Sequence, residues 1–328
     1  MHSITRRAVV AGITATLAAP AFRSASAASP LPELTLWGPP AGPSVTILHA
    51  IASGALGAVA EKITFKAWRS PDELRAGLTS GTMQTFVLPT QSAANLFNKG
   101  LGVRLVNVMT NGLLYLVASD TSLTSMAALK GRTVAVPFRN DTTEVLFRRL
   151  LAMQGIAPDT DLTIQFTGTP MEAVQLLMTG RADAALLPEP SATAAILRAG
   201  QAGKAVSRVV DIQKAWSDAT GLAPTLPQAG LGVTTAFLDA HAPAVEALHE
   251  ALVRATASVN ADPARAANDA AAPLGLPSPV VATSIPHSNL VAIRASEARP
   301  TLEAVFRAVS EADPKIIGGK LPAAEFYL

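Results

Sequence analysis

Short apolar runs alternate with longer stretches of helical spacing from Leu34 almost to the end of the chain. Leu34–Trp37, Ile63–Trp68, Met83–Leu88, Val103–Met109 and Leu114–Ala118 read as strands. Between them, Ser44–Val59 is small-residue-rich and helical in spacing, and Thr90 opens a helix that Gly100 ends. Ser70-Pro71-Asp72-Glu73 is a helix start, with serine at the N-cap, proline in the first turn and glutamate three residues after the cap. A second set follows, with strands at Arg132–Val136, Leu162–Phe166, Ala184–Leu187 and Val206–Asp211. Asp141-Thr142-Thr143-Glu144 and Thr169-Pro170-Met171-Glu172 are two more capping boxes, whose helices close at Gly155 and Gly180. Pro188-Glu189-Pro190 leads into a helix that reaches Ala199. An irregular stretch, Ile212–Gln228, carries glycine and proline breakers. One strand, Ala229–Thr234, and helices over Pro243–Asn260, Pro263–Ala271 and Arg299–Ser310 complete the chain.

This order predicts the α/β class, with parallel sheets covered by helices. It further predicts two α/β lobes. The first is discontinuous, made of residues 30–118 and 229–328; the second, 119–211, is inserted into it, and 212–228 is the return crossing. The chain then crosses between lobes twice, near Ala118-Ser119 and within Ile212–Gln228. One doubly wound domain with peripheral helices fits the same periodicity.

The first residues stand apart. Thr5-Arg6-Arg7, an apolar run from Ala8 to Phe22 and Ala25-Ser26-Ala27 make an export signal over residues 1–28, cleaved near Ala28 or Ser29. The arginine pair followed by Val9 and Val10 points to the twin-arginine route, although the Phe-Leu pair usual there is absent. The apolar run is too short to span a bilayer. The expected mature protein is therefore periplasmic and soluble. Its charge also changes: the full chain carries 26 basic and 24 acidic residues, and loss of Arg6, Arg7 and Arg23 leaves 23 against 24. A near-neutral surface without basic clusters argues against a nucleic-acid partner.

Composition removes several chemistries. There is no cysteine, so disulfides, thiolate metal sites, cysteine nucleophiles and a lipid-anchored terminus are excluded. No G-x-S-x-G or H-E-x-x-H motif is present. Gly203-Lys204 has Arg198 where a phosphate-binding loop needs glycine, and Gly230-Leu231-Gly232 lacks the third glycine of a dinucleotide fingerprint. His49, His241, His249 and His287 are scattered without metal spacing, and a structural or surface role is the default for each. No catalytic residue, metal or cofactor is expected.

The candidate chemistry lies in the strand-to-helix turns, because ligands of open α/β sheets bind beyond the carboxyl ends of strands, where helix N-termini aim backbone N–H groups. The turn after the first strand holds Pro40, Ala41, Gly42 and Ser44, stiffened by prolines and open at its glycines. Trp68 and Arg69 follow the second strand, and Pro89, Thr90 and Gln91 the third. Asn111 lies where the chain leaves the first lobe. Arg139, Asn140 and Thr142 precede the first helix of the second lobe. For the last three turns an ordinary solvated loop is the equal alternative. The Arg139–Thr143 turn combines a cation, an amide, two hydroxyls and a helix N-terminus, which favours an organic anion or zwitterion with its acid near Arg139 and Thr142. Asp141 would turn its carboxylate back onto its own helix as N-cap. Glu189 has two readings, as a cleft carboxylate for a ligand amine or a lobe-one arginine, and as a cap of its own helix.

Leu129-Lys130-Gly131-Arg132-Thr133-Val134-Ala135-Val136-Pro137 resembles the LKGKxVAVP stretch of substrate-binding proteins of nitrate, sulfonate and taurine ABC importers. Gly180-Arg181-Ala182-Asp183-Ala184-Ala185-Leu186-Leu187-Pro188-Glu189-Pro190 resembles their GxxDAALxxEP stretch, and Leu226-Pro227-Gln228-Ala229-Gly230 their segment re-entering the first lobe. The resemblance implies the type II periplasmic-binding-protein fold, two lobes around a ligand cleft that closes. It places Pro40–Ser44, Pro89–Gln91, Arg139–Thr142 and Glu189 at that cleft. It also implies a non-enzymatic monomer with a small polar ligand and an inner-membrane permease as partners. Two alternatives stay open: an enzyme on the same fold, of which the pyrimidine-synthase type relies on a cysteine-rich motif missing here, and a ligand-sensing accessory protein.

Overall fold

The computed structural model describes residues 29–311 and 313–328; the expected export signal lies outside the described residues. The first run comprises β1 (Leu31–Gly38), α1 (Gly42–Ala52), β2 (Ala60–Ala67), α2 (Pro71–Thr79), β3 (Thr85–Pro89), α3 (Thr90–Asn98) and β4 (Val103–Thr110). The next comprises β5 (Leu114–Ala118), β6 (Thr133–Pro137), α4 (Thr142–Met153), β7 (Thr163–Thr167), α5 (Pro170–Met178), β8 (Ala184–Pro188), α6 (Ser191–Gln201), β9 (Ser207–Asp211) and α7 (Ile212–Thr220). The chain ends with β10 (Ala229–Thr234), α8 (Thr235–Ala261), α9 (Pro263–Leu274), α10 (Ser278–Ser284), β11 (Leu290–Arg294) and α11 (Ala295–Ser310). His241 leaves helical geometry inside α8, so that element is two helices meeting at a kink just before Pro243.

Two sheets carry the fold, ordered β11-β4-β10-β3-β1-β2 and β7-β6-β8-β5-β9. Both are mixed, where the strand–helix alternation predicts parallel sheets. β5 runs antiparallel to β8 and β9, and β10 runs antiparallel to β3 and β4. The reason lies in the crossings. The other strands of the second sheet, and β1 to β4 of the first, aim their carboxyl ends at the space between the lobes. A chain that arrives through that space can only run away from it, so the first strand after each crossing is reversed. β11, which starts beside Thr110 at the same place, is reversed too.

This moves the expected lobe boundary. β5 lies in the second sheet, so the chain leaves the first lobe between Thr110 and Leu114, not at Ala118-Ser119. The irregular stretch expected at 212–228 begins with a regular helix, α7. It buries Ile212, Ala215 and Trp216 with second-lobe residues Leu146, Phe147 and Leu150 of α4. The return crossing therefore shortens to 221–228.

Locally, the capping boxes at α2 and α5 form. Ser70 Oγ accepts from the Glu73 amide and Thr169 Oγ1 from the Glu172 amide, both at 3.2 Å. The glutamates reach back one residue beyond the cap, to the amides of Arg69 and Gly168. The two glycines of Gly230-Leu231-Gly232 serve packing in β10. A Cβ at Gly230 would stand 2.0 Å from the Asn107 carbonyl oxygen of β4.

Candidate functional site

The two crossings run side by side and are bonded to each other. Leu226 N–H donates to the Asn111 carbonyl (3.0 Å) and Gln228 N–H to that of Thr110 (3.1 Å), while Gln228 Oε1 accepts from Leu113 N–H (2.6 Å). A third segment joins them just before β11: Asn289 accepts from Asn111 N–H (3.0 Å) and donates through Nδ2 to the Gly112 carbonyl (2.7 Å).

The lobes also touch at two places away from these crossings. At one, Gly42 N–H donates to the Glu189 carbonyl (3.2 Å). Nearby, Tyr115 of β5 donates its hydroxyl to the His287 carbonyl (2.9 Å). Burial, with Asp211 and Glu189 nearby, pushes the Tyr115 phenol up to about 12, so it stays a donor at any ordinary pH. Burial, reinforced by Arg208, holds the His287 imidazole below its usual value and favours its neutral form. At the other, the N-termini of α3 and α4 meet. Thr142 Oγ1 donates to Gln91 Oε1 (2.8 Å), and Ser92 Oγ donates to Asp141 Oδ1 (3.1 Å). Beyond this second contact a cavity of about 840 Å³ opens between the lobes. The first lobe supplies Trp68, Leu74, Pro89, Gln91, Ser92, Asn95 and Ile316, and the second Asn140, Asp141, Val145 and Arg149. Such a volume is in the range of pockets that enclose an organic ligand.

A model described as the NMT1-like family matches residues 77–274, well over half of the chain. The chain belongs to the NMT1-like family. No curated protein matches it. Among solved structures, it is similar to an ABC transporter protein from Parabacteroides distasonis, with 23% identity, a TM-score of 0.72, and coverage of 90% of this chain and 98% of that one. It is also similar to the alkanesulfonate-binding protein SsuA from Xanthomonas axonopodis pv. citri, bound to MOPS (19%, TM-score 0.67, 90% and 96% covered). The periplasmic nitrate-binding protein NrtA from Synechocystis is a third (13%, TM-score 0.63, 77% and 69% covered). These likenesses show the fold, the two-lobed type II arrangement implied by the sequence resemblance.

In this NMT1-like chain the expected site residues fall into three groups. Trp68, Pro89, Gln91 and Asn140 line the cavity. Pro40, Ala41, Gly42, Ser44, Thr90, Asn111, Thr142 and Glu189 lie at the lobe junction, outside the cavity wall, and several have their polar groups taken by the protein itself. Ser44 Oγ donates to the Pro39 carbonyl and Thr90 Oγ1 to that of Pro227, both at 2.6 Å. Thr90 is also the first helical residue of α3, whose N-cap is Pro89. Arg69 and Arg139 are exposed, and the Arg139 guanidinium stacks 5.0 Å from the Phe166 ring centroid.

Two carboxylates depart from expectation. Glu189 is fully buried, with Oε1 accepting from Arg208 Nε (2.8 Å) and Nη2, and Oε2 from the Thr193 amide (3.1 Å) and hydroxyl (2.8 Å). It caps its own helix and pairs with an arginine of its own lobe, so its carboxylate does not face the cavity. Asp141 occupies the N-cap position of α4, yet beyond the adjacent Thr142 amide its side chain makes no capping bond, and it goes across the lobe gap to Ser92. The other half of that box does form, since Glu144 accepts from the Asn140 amide (2.6 Å). Burial raises the Asp141 carboxyl, against the opposing bonds from the Thr142 amide and Ser92 and the charge of Arg75.

A second constellation lies on the far side of lobe one. His49 Nε2 is 2.9 Å from Ser258 Oγ and His49 Nδ1 is 2.7 Å from Asp269 Oδ2. The spacing is that of a hydrolytic triad, but Ser258 sits in the last turn of α8. The carbonyl end of a helix disfavours a developing oxyanion. The trio instead braces α1, α8 and α9 against one another.

Proposed function

We propose that this protein is the extracytoplasmic receptor of an ABC importer, which closes its lobes on an organic solute and presents the closed form to a permease. The observation that carries this reading is the inter-lobe cavity, walled by both lobes and flanked by a hinge of three chain segments. The MOPS-bound sulfonate receptor and the nitrate receptor among its structural relatives support the same class. The junction turns keep few free donors for a bare oxyanion. The cavity therefore suits a solute with an apolar body against Trp68, Leu74, Val145 and Ile316 and a polar end near Asn140, because the Gln91 and Asn95 amides already donate to the carbonyls of Lys315 and Ile316. No bond-making step is assigned to it.

Denaturing the purified protein is expected to release a small molecule identifiable by mass spectrometry. Adding that molecule back raises stability by about 2.7 kcal/mol at a hundredfold excess over Kd. Val145→Trp, which fills the cavity, is expected to abolish that gain while the unliganded protein still folds. Release of nothing, together with no stabilisation by a panel of sulfonates, carboxylates and nitrate, would sink the receptor reading.

Export is part of the same proposal. Arg6→Lys with Arg7→Lys is expected to leave precursor in the cytoplasm if the twin-arginine route is used. An unchanged periplasmic yield rules out that route, and a cytoplasmic wild type rules out export.

A further inference from the structure

Asp141 is a carboxyl in an unusual place. It is 7% exposed, it lies where two separate lobes meet, and its hydrogen-bonding hydroxyl, from Ser92, belongs to the opposite lobe. The arginines on the elements around it are already engaged. On α2, Arg75 is paired with Asp72 (2.6 Å). On α4, Arg148 is paired with Glu144 (2.6 Å) and Asp159 (2.9 Å), and Arg149 with Glu311. Lys99 of α3, and Asp313 and Lys315 of the C-terminal segment, complete the charged lining of the cavity. None of the cations named makes an ion pair with Asp141. The Thr142 amide next in sequence favours its charged form, but the amides further into α4 that an N-cap carboxylate would normally engage make no bond to it.

When the lobes part, Ser92 withdraws and water reaches the carboxyl. When they close, a charge without a counter-ion is taken out of water, which is costly unless the group is neutral. We propose that Asp141 couples closure of the cleft to uptake of one proton, so that the receptor closes more readily as its surroundings become more acidic. This rests on the hinged-receptor reading and deepens it.

The sign follows from linkage. In an open form that exposes it to water, Asp141 would return to the ordinary aspartate range. In the closed form burial raises it. Closure therefore gains with falling pH between the raised closed-state value and the ordinary one. Below both it is independent of pH, and above both it carries the full cost of burying the charge.

The absence of cysteine makes the test direct. Ala76→Cys on α2 and Gln154→Cys after α4 place dyes on exposed positions at the two walls of the cavity. Single-molecule energy transfer on the full chain without added solute then reads open and closed populations from pH 8 to pH 4. In the parent protein the closed-to-open ratio is expected to rise by up to tenfold per pH unit within the window, the slope of one proton. Asp141→Asn is expected to be more closed at pH 8 and to lose this slope. Ser92→Ala, which keeps the carboxyl, retains it. Two populations that ignore pH, or a slope that survives in Asp141→Asn, overturn the proposal and leave the receptor reading intact. A single population at every pH, with and without co-purified solute, overturns both.

Discussion

Glu189→Gln is expected to cost the second lobe about 3–5 kcal/mol, the usual penalty for removing one partner of a buried ion pair. Glu189 is fully buried, and its two oxygens take four hydrogen bonds, from Arg208 and Thr193. The amide keeps the shape but leaves the Arg208 guanidinium, itself 18% exposed, without its counter-charge over the Tyr115 ring. Urea unfolding followed by circular dichroism measures the loss. Hydrogen exchange should place it in β8, β9 and α6. A double change, Glu189→Gln with Arg208→Gln, removes both charges and is expected to recover part of the loss, because the uncompensated cation is then gone. A single-variant cost below about 1 kcal/mol, the scale of exposed pairs, would contradict the burial argument.

Gly112→Ala should have an effect of similar size by a different route. Gly112 has φ of 120°, a region open in practice only to glycine, and the added Cβ would stand 1.9 Å from Gln213 Cγ. Backbone strain of about 1–3 kcal/mol and overpacking of about 1–3 kcal/mol both apply. The side chain that must yield, Gln213, is buried and accepts from the Leu114 amide at the start of β5. Gly112→Ala is therefore expected to lower the melting temperature and to shift the lobe equilibrium together. Adding Gln213→Ala relieves the clash but not the dihedral, so the double variant should recover only part. Full recovery would mean the backbone carries no strain. No loss in the single variant would mean the first crossing is slack.

What the chain reveals on inspection divides by range. The caps at Ser70 and Thr169 are written within four residues and can be read directly. So can α7, in retrospect: Asp211 caps it and Gly221 ends it, while the prolines that suggested irregularity, Pro224 and Pro227, lie beyond its end. The family stretches are legible and also structural. Asp183 of one accepts from the Thr133 amide of the other (2.7 Å), tying the starts of β6 and β8 together. Strand direction is not written in periodicity, so β5 is assigned by pattern to its sequence neighbours while it pairs across the crossing. β11 is a short strand seen only beside β4. The fates of Asp141 and Glu189 depend on Ser92 and Arg208, residues remote in sequence or on another strand. Local rules make both carboxylates plausible caps, and only the assembled lobes decide which one turns away.

The position of β10 between β3 and β4 has a consequence for how the protein is made. Without β10, β4 has no hydrogen-bonded link to the rest of its sheet, because its other neighbour, β11, comes later still. The lobe that starts first thus has to wait for residues 229–234 before its central strands can join. The other lobe runs unbroken from Leu114 to Thr220 and needs nothing that follows it. During synthesis, the lobe inserted in the middle of the chain is the first that can be complete, and the amino-terminal strands have to stay soluble until it is.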